Sequence, residues 1–150
     1  MRVNAGTETN LRLDRPRTGS LIPPVHTVLI VDDEHSMRRA LRRLFENAGW
    51  AVQEGRSGEE ALQLVTETSG AGIDALVSDI VMPGLSGLEL YDKLVGAAPS
   101  LAHRVIFLTG AAHDPKVHAL IEQRGVPLVS KLDDLQIVVD AARLAVIRAA

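Results

Sequence analysis

Apolar residues occur along this chain in short dense runs, separated by longer stretches where they recur every three or four positions. The dense runs are Thr27–Val31, Trp50–Glu54, Ile73–Ser78, Arg104–Leu108 and Val126–Val129, and their length and β-branched content predict strands. Between the first two, Met37, Ala40, Leu41, Leu44, Phe45 and Ala48 follow helical spacing, with Arg38, Arg39, Arg42 and Arg43 on the opposite side and Gly49 as the stop. A second helix is expected to open at Ser57, with Glu60 completing a capping box and Ala61, Leu62 and Val65 facing inward. The third repeats the device with Ser86 and Glu89 and is expected to bury Leu90, Tyr91, Leu94 and Val95. The fourth opens with Asp114 as N-cap and Pro115 at the first helical position, and closes at Gly125. A fifth is expected to start near Asp133 or Asp134 and run toward the C-terminus.

Strands that alternate with helices predict an α/β fold, a parallel sheet covered by helices on both faces. The runs "VLIV" and "DALV" are continuously apolar, as doubly covered strands require. In such open sheets ligands sit beyond the carboxyl ends of the strands, so the chemistry is sought there.

Composition narrows the reading. Aromatic residues are only 3% of the chain, so Val, Leu, Ile and Ala must build the core. The absence of cysteine excludes disulfides, thiolate catalysis and cysteine-based metal sites. The net charge of −3 offers no general electrostatic footprint for nucleic acid, and no direct DNA binding is expected. No apolar run approaches the ~18 residues of a membrane span, and no secretory signal pattern opens the chain, so a cytoplasmic protein is expected. Met1–Pro24 is polar, carries Pro16, Pro23 and Pro24 and shows no periodicity. It reads as a mobile tail over residues 1–25, ahead of one folded unit over 26–150.

The expected strand ends carry the reactive groups. Asp32, Asp33 and Glu34 follow the first strand, Asp79 the third, Thr109 the fourth and Lys131 the fifth. Clustered carboxylates become tolerable when a divalent cation neutralises them, and an all-oxygen site suits Mg²⁺ or Mn²⁺. Asp33 and Asp79 are candidate direct ligands, Asp32 a candidate for holding a metal-bound water, and the Val81 carbonyl a further oxygen. A carboxylate can also act as nucleophile toward phosphorus; Asp79, alone at the sheet centre, is the candidate. Lys131 and Thr109 would then stabilise phosphoryl oxygens. Pro83, Gly84 and Gly87 shape a tight loop beside Asp79. Glu34 reads as a first-turn helical acid rather than a ligand. The histidines His26, His35, His103, His113 and His118 share no metal-like spacing, and Tyr91 and Trp50 read as packing residues.

"LIVDDE", "SDIVMPGLSGLEL", "FLTG" and "SK", in this order and spacing, resemble the receiver domain of two-component response regulators over roughly His26 to Ile147. The resemblance implies a flavodoxin-like fold with strand order 2-1-3-4-5. It implies Asp79 as phosphoacceptor from a histidine kinase or phosphotransfer domain, Asp32 and Asp33 as the acidic metal pair, Thr109 as the switch hydroxyl and Lys131 as the lysine. It also implies that the basic side of helix 1 can face the phosphodonor. "FLTGAAHDP" is more similar to receivers attached to hybrid histidine kinases than to those fused to DNA-binding outputs.

Three positions depart from the family pattern. Leu132 stands where proline usually follows the lysine, Leu128 where a switch aromatic lies, and Gly110 where alanine commonly follows the threonine. Val81 and Ala111, two residues beyond Asp79 and Thr109, cannot hydrogen-bond an attacking water through their side chains, which implies slow self-dephosphorylation. In the fifth helix only Gln136, Asp140 and Arg143 are polar between Leu135 and Ile147, so a homodimer through the fourth and fifth helices is expected. The chain ends at that helix, so a stand-alone regulator is expected, signalling by phosphorylation-dependent protein contact rather than as an enzyme. The alternatives are a pseudo-receiver that takes no phosphate, motivated by Leu128 and Leu132, and a small nucleotide-binding enzyme, for which no Gly-rich loop follows the first strand, or an aspartate-nucleophile phosphatase. The latter needs D-x-D after the first strand, which "DDE" does not supply.

Overall fold

A computed structural model describes residues 25–110 and 114–149. Five parallel strands, β1 (Thr27–Val31), β2 (Ala51–Gly55), β3 (Ala75–Asp79), β4 (Val105–Thr109) and β5 (Leu128–Ser130), form one sheet in the order β2-β1-β3-β4-β5. The helices are α1 (His35–Asn47), α2 (Gly58–Thr68), α3 (Gly87–Ala97), α4 (Pro99–Ala102), α5 (Pro115–Arg124) and α6 (Gln136–Ala149). This is the flavodoxin-like order that the resemblance implied. After β1 the chain steps outward to β2, then returns to β1's other side with β3. That reversal opens a crevice at the carboxyl ends of β1 and β3.

Strand residues alternate between two apolar layers. Leu29, Val31, Leu76 and Phe107 face α2 and α3, against Ala61, Val65, Leu90 and Leu94. Val28, Ile30, Val77, Ile106 and Leu108 face α1 and α6, against Leu41, Phe45, Val138, Val139 and Ala142. Of the few aromatics, Phe45 meets Trp50 edge-on at 5.3 Å and Tyr91 meets Phe107 at 5.9 Å, so Trp50 and Tyr91 are packing residues as expected.

The elements differ from expectation in ways that have local causes. Strands β2 to β5 sit toward the C-terminal side of the predicted runs, and β3 and β4 take in Asp79 and Thr109. Trp50 is buried but outside β2, because its N–H closes the end of α1 on the Phe45 carbonyl at 2.9 Å. The helical turn α4 was not expected: Pro99 starts it and Leu101 and Ala102 bury, but four residues give no periodic signal. α6 starts at Gln136, not Asp133 or Asp134, where the Asp134 carboxylate accepts the Gln136 N–H at 3.0 Å. The Ser86–Glu89 capping box is complete, whereas Glu60 turns its carboxylate to the Arg56 N–H instead of Ser57. Asp114 caps α5 and Gly125 closes it at φ +66°, as expected. Val95, expected inside, is half exposed. Arg38 and Ala40 exchange their expected places: Arg38 is buried and Ala40 is exposed. The expected tail over residues 1–25, apart from Val25, lies outside the described residues, as do Ala111 and His113.

Candidate functional site

The crevice at the strand ends is built first from backbone. Val31 pairs with Gly55 and Ser78, so the next residue, Asp32, emerges between β2 and β3. The Asp32 N–H donates to the Gly55 carbonyl at 3.2 Å, and its Oδ1 accepts the Glu34 N–H at 2.8 Å. Glu34 is the N-cap residue of α1. Asp79 ends β3 and is 5% exposed. One carboxylate oxygen each from Asp32, Asp33 and Asp79 lie within 4.8 Å of one another, with Asp33 the exposed member.

Lys131 arrives from the far side of the sheet. Its N–H donates to the Thr109 carbonyl at 2.9 Å, where β4 and β5 end together. Its Nζ stands 2.9 Å from Asp79 Oδ2, 3.1 Å from Asp32 Oδ2 and 3.2 Å from Glu34 Oε1. Leu132, in the family's proline position, is 82% exposed. The turn there is held differently: Ser130 Oγ accepts the Leu132 N–H and the Ser130 carbonyl accepts the Asp133 N–H, each at 3.1 Å. That pair of bonds fixes the backbone carrying Lys131 without a proline. Thr109 is fully buried at the end of β4, one strand over from Asp79. Leu128 is half-buried on β5.

The loop after β3 closes over the other side. The Gly87 N–H donates to the Ile80 carbonyl at 2.9 Å. Glu59 on α2 accepts the Leu85 N–H at 3.0 Å, tying the loop to the neighbouring helix. Val81 is exposed, and its N–H hydrogen-bonds the Asp79 carboxylate.

The structure thus brings Asp32, Asp33, Asp79 and Lys131 of the sequence-predicted set together, with Thr109 at the adjoining strand end. Sequence reasoning missed Arg38. The guanidinium Nη1 donates to the Asp32 carbonyl at 2.7 Å, and Nε to Glu54 Oε1 at 3.0 Å. A signal was present: Arg38 lies three residues before Leu41 and seven before Phe45, on the same buried stripe. It also missed the reach of Glu34 to Lys131.

Burial raises the Asp32 carboxyl above its ordinary value; the Glu34 N–H and Lys131 only partly offset this. Burial likewise raises Asp79, opposed by the Lys131 hydrogen bond and reinforced by the Asp32 charge. Burial alone would push Lys131 down, but its hydrogen bond to Asp79 and the charges of Asp79 and Asp32 override it and hold the ammonium above the usual lysine value.

Residues 28–143 match the model of the response regulator receiver domain family. The chain belongs to this family. The sensor kinase CckA of Brucella abortus is 39% identical over 88 residues, 59% of this chain but 9% of that protein. The response regulator MprA of Mycobacterium tuberculosis is 36% identical over 108 residues, 63% of this chain and 46% of that protein. The chain thus spans less than half the length of either relative. A receiver domain of Clostridium thermocellum has a superposable structure, with TM-score 0.74, 28% identity and coverage of 83% of this chain and 96% of that one. Receiver domains are signalling domains of two-component systems that bind Mg²⁺ through acidic residues and meet histidine kinases or phosphotransfer proteins. No helix among the described residues is long and apolar enough to cross a membrane.

The receiver's own atoms fit such an ion. Asp32 Oδ2 is buried and accepts no well-aligned hydrogen bond from the described residues, although the Lys131 charge is near. A desolvated carboxylate oxygen aimed at two further carboxylates is the donor set of a small hard cation. The consequence for stability is measurable. With chelator near pH 7, Asp32→Asn is expected to be more stable than wild type by about 1–2 kcal/mol, the scale of a poorly satisfied buried polar group. Because the folded carboxyl is raised above 3.8, the folded protein keeps a proton that the unfolded chain releases, and stability falls as pH rises through the raised value. The gap between variant and wild type therefore closes toward about pH 4. Mg²⁺ at a concentration that fills the wild-type site reverses the ranking, since wild type gains more binding energy than a variant left with two of the three carboxylates. Urea unfolding at several pH values, with chelator and with Mg²⁺, checks this; a gap that ignores pH counts against it.

Proposed function

We propose that this receiver accepts a phosphoryl group on Asp79 from the phosphohistidine of a histidine kinase or phosphotransfer domain, and signals by a changed protein–protein contact. The reading is carried by the convergence of Asp32, Asp33, Asp79 and Lys131 at one crevice on the carboxyl edge of the sheet. A carboxylate oxygen of Asp79 attacks phosphorus and the P–N bond breaks. The electron pair stays on the imidazole nitrogen, which takes up a proton, leaving an acyl phosphate. Bound Mg²⁺ supplies positive charge that offsets the carboxylates and the phosphoryl oxygens. Asp32, Asp33, Asp79 and the Val81 carbonyl would hold it. Lys131, already 2.9 Å from Asp79, neutralises a phosphoryl oxygen, and the Thr109 hydroxyl donates to another. Gly110, exposed beyond β4, allows Thr109 to move toward the phosphoryl group and rearrange the surface above α5. The same ammonium pairs with all three acids, Asp32, Asp79 and Glu34, before any phosphoryl group arrives.

Incubating the protein with Mg²⁺ and a small phosphodonor, then weighing it intact, tests the reading: a gain of one phosphoryl group is expected, and no gain favours the pseudo-receiver. The reading as a phosphoacceptor rather than a turnover enzyme is supported by Val81, exposed two residues beyond Asp79, whose side chain cannot orient water. Slow loss of the phosphoryl group follows.

The docking surface for output is taken to lie on α5 and α6. Leu120, Ile137, Leu144 and Ile147 expose 41%, 46%, 45% and 64% of their surface there. Isolated apolar side chains are ordinary, but four on the helices that precede and follow the edge strand β5 favour a homodimer. Sedimentation over a range of concentrations, with and without phosphodonor, is expected to show dimer; a monomer at every concentration rules this out. Arg39 and Arg43 stay exposed on α1 near the crevice and suit a phosphodonor surface.

A further inference from the structure

Asp32 is clamped at every polar atom but one. Its N–H is held by the Gly55 carbonyl at 3.2 Å and its Oδ1 by the Glu34 N–H at 2.8 Å. Its carbonyl is held by Arg38 Nη1 at 2.7 Å, the shortest of the three bonds. The remaining atom, Oδ2, is the oxygen aimed at Asp79 and Lys131. Arg38 is itself fixed. It is 6% exposed, Glu54 Oε1 accepts from its Nε at 3.0 Å, and its Nη2 lies 3.3 Å from His35 Nδ1. The second Glu54 oxygen accepts from Arg42 Nε at 2.7 Å. One strand carboxylate thus aligns two guanidinium groups of α1, and only Arg38 reaches the acidic loop.

We propose that Arg38 is the positioning residue of the acidic cluster: its bond to the Asp32 carbonyl fixes the β1–α1 loop so that Asp32 Oδ2 and Asp33 present a preorganised set for the divalent cation. The inference rests on the cation reading of the preceding subsection and deepens it. A rigid fork is suited to this task because it holds a carboxylate with one edge and a carbonyl with the other, which a lysine ammonium does not do in one geometry. Partners behind metal-binding side chains commonly govern affinity as strongly as the ligands themselves.

Two effects of removing Arg38 have opposite signs, and that makes the test sharp. By charge alone, deleting a cation beside a cation site strengthens Mg²⁺ binding. By positioning, it weakens binding. Arg42→Met is the matched control: it removes the same charge from the same helix and the same Glu54, but no bond to Asp32. Calorimetric titration of chelator-stripped protein with Mg²⁺ is expected to give an Arg38→Met dissociation constant about tenfold or more above wild type. Arg42→Met should be unchanged or tighter. Arg38→Lys, which keeps charge without the fork, falls between wild type and Arg38→Met. Circular dichroism of each variant establishes folding. Where Arg38→Met is unfolded, Arg38→Lys carries the test, and wild-type affinity in it overturns the proposal. Equal or tighter binding in folded Arg38→Met overturns it as well. Wild type that binds no Mg²⁺ overturns the cation reading together with this inference; wild type that binds while Arg38→Met binds equally overturns this inference alone.

Discussion

Asp79→Asn is expected to abolish phosphoryl uptake altogether. The wild-type protein with Mg²⁺ and a small phosphodonor gains the mass of one phosphoryl group and holds it over many minutes; the variant gains none. The change keeps the volume and shape of the side chain, so the loop after β3 and the strand pairing of β3 with β4 persist. What it removes is chemistry: the amide nitrogen has its lone pair delocalised into the carbonyl and does not open a path to an acyl phosphate. It also removes one of three clustered carboxylates, which weakens the cation site. The two effects separate by concentration. Saturating Mg²⁺ restores uptake if only cation binding is impaired, and leaves it at zero if the nucleophile itself is gone. The second outcome is expected. Equal uptake by wild type and variant would mean that another side chain takes the group. Loss within seconds from wild type would mean that a group other than the Val81 side chain directs water at the acyl phosphate.

How much of this was readable in the sequence depended on whether each cue was local. β1, β3 and β4 are covered on both faces, so their apolar runs stood out, and the acids just beyond Val31 and Ser78 identified themselves as strand-end groups. β2 lies at the sheet edge with a half-exposed pattern, and its run was displaced by one residue, as was that of the buried β4. The caps at Ser86, Asp114 and Gly125 are decided within four residues and were legible. Arg38 was not. A charged residue on a helix is ordinarily solvated, and what draws this one inward is Glu54 on another element and a carbonyl on the loop before it. Ser130 was missed although its turn is local: a hydroxyl and a carbonyl closing on Leu132 and Asp133 leave no periodic signal. Arg38 shares the stripe of Leu41 and Phe45, but spacing alone does not say whether an arginine turns inward; a partner on another element decides it.

Gly87→Ala is expected to be the most damaging single-methyl change near the site. Gly87 opens α3, and a Cβ built there overlaps the Asp79 carbonyl oxygen and falls 2.9 Å from Ile80 Cα. Both atoms belong to the main chain, so no side chain can swing aside. Relieving the overlap requires the helix start to retreat from the strand end. That retreat strains the bond from the Gly87 N–H to the Ile80 carbonyl, which closes the loop. The expected destabilisation is about 3 kcal/mol or more, at the upper end of overpacking effects, and a large share of the ~5–15 kcal/mol that holds a domain folded. Because the displaced atoms flank Asp79, phosphoryl uptake should fall even at temperatures where the variant remains folded. Gly96→Ala supplies the comparison within the same helix. Its Cβ meets nothing within 4 Å, so the substitution is expected to stabilise by up to about 0.5 kcal/mol, the lower end of the gain of alanine over glycine, because Gly96 lies in the last turn. One methyl group, added twice to α3, thus has opposite signs at its two ends. Urea unfolding of both variants measures the pair. If Gly87→Ala unfolds at the wild-type midpoint, the close approach of α3 to the end of β3 does not hold the loop, and the placement of Asp79 must depend on other contacts.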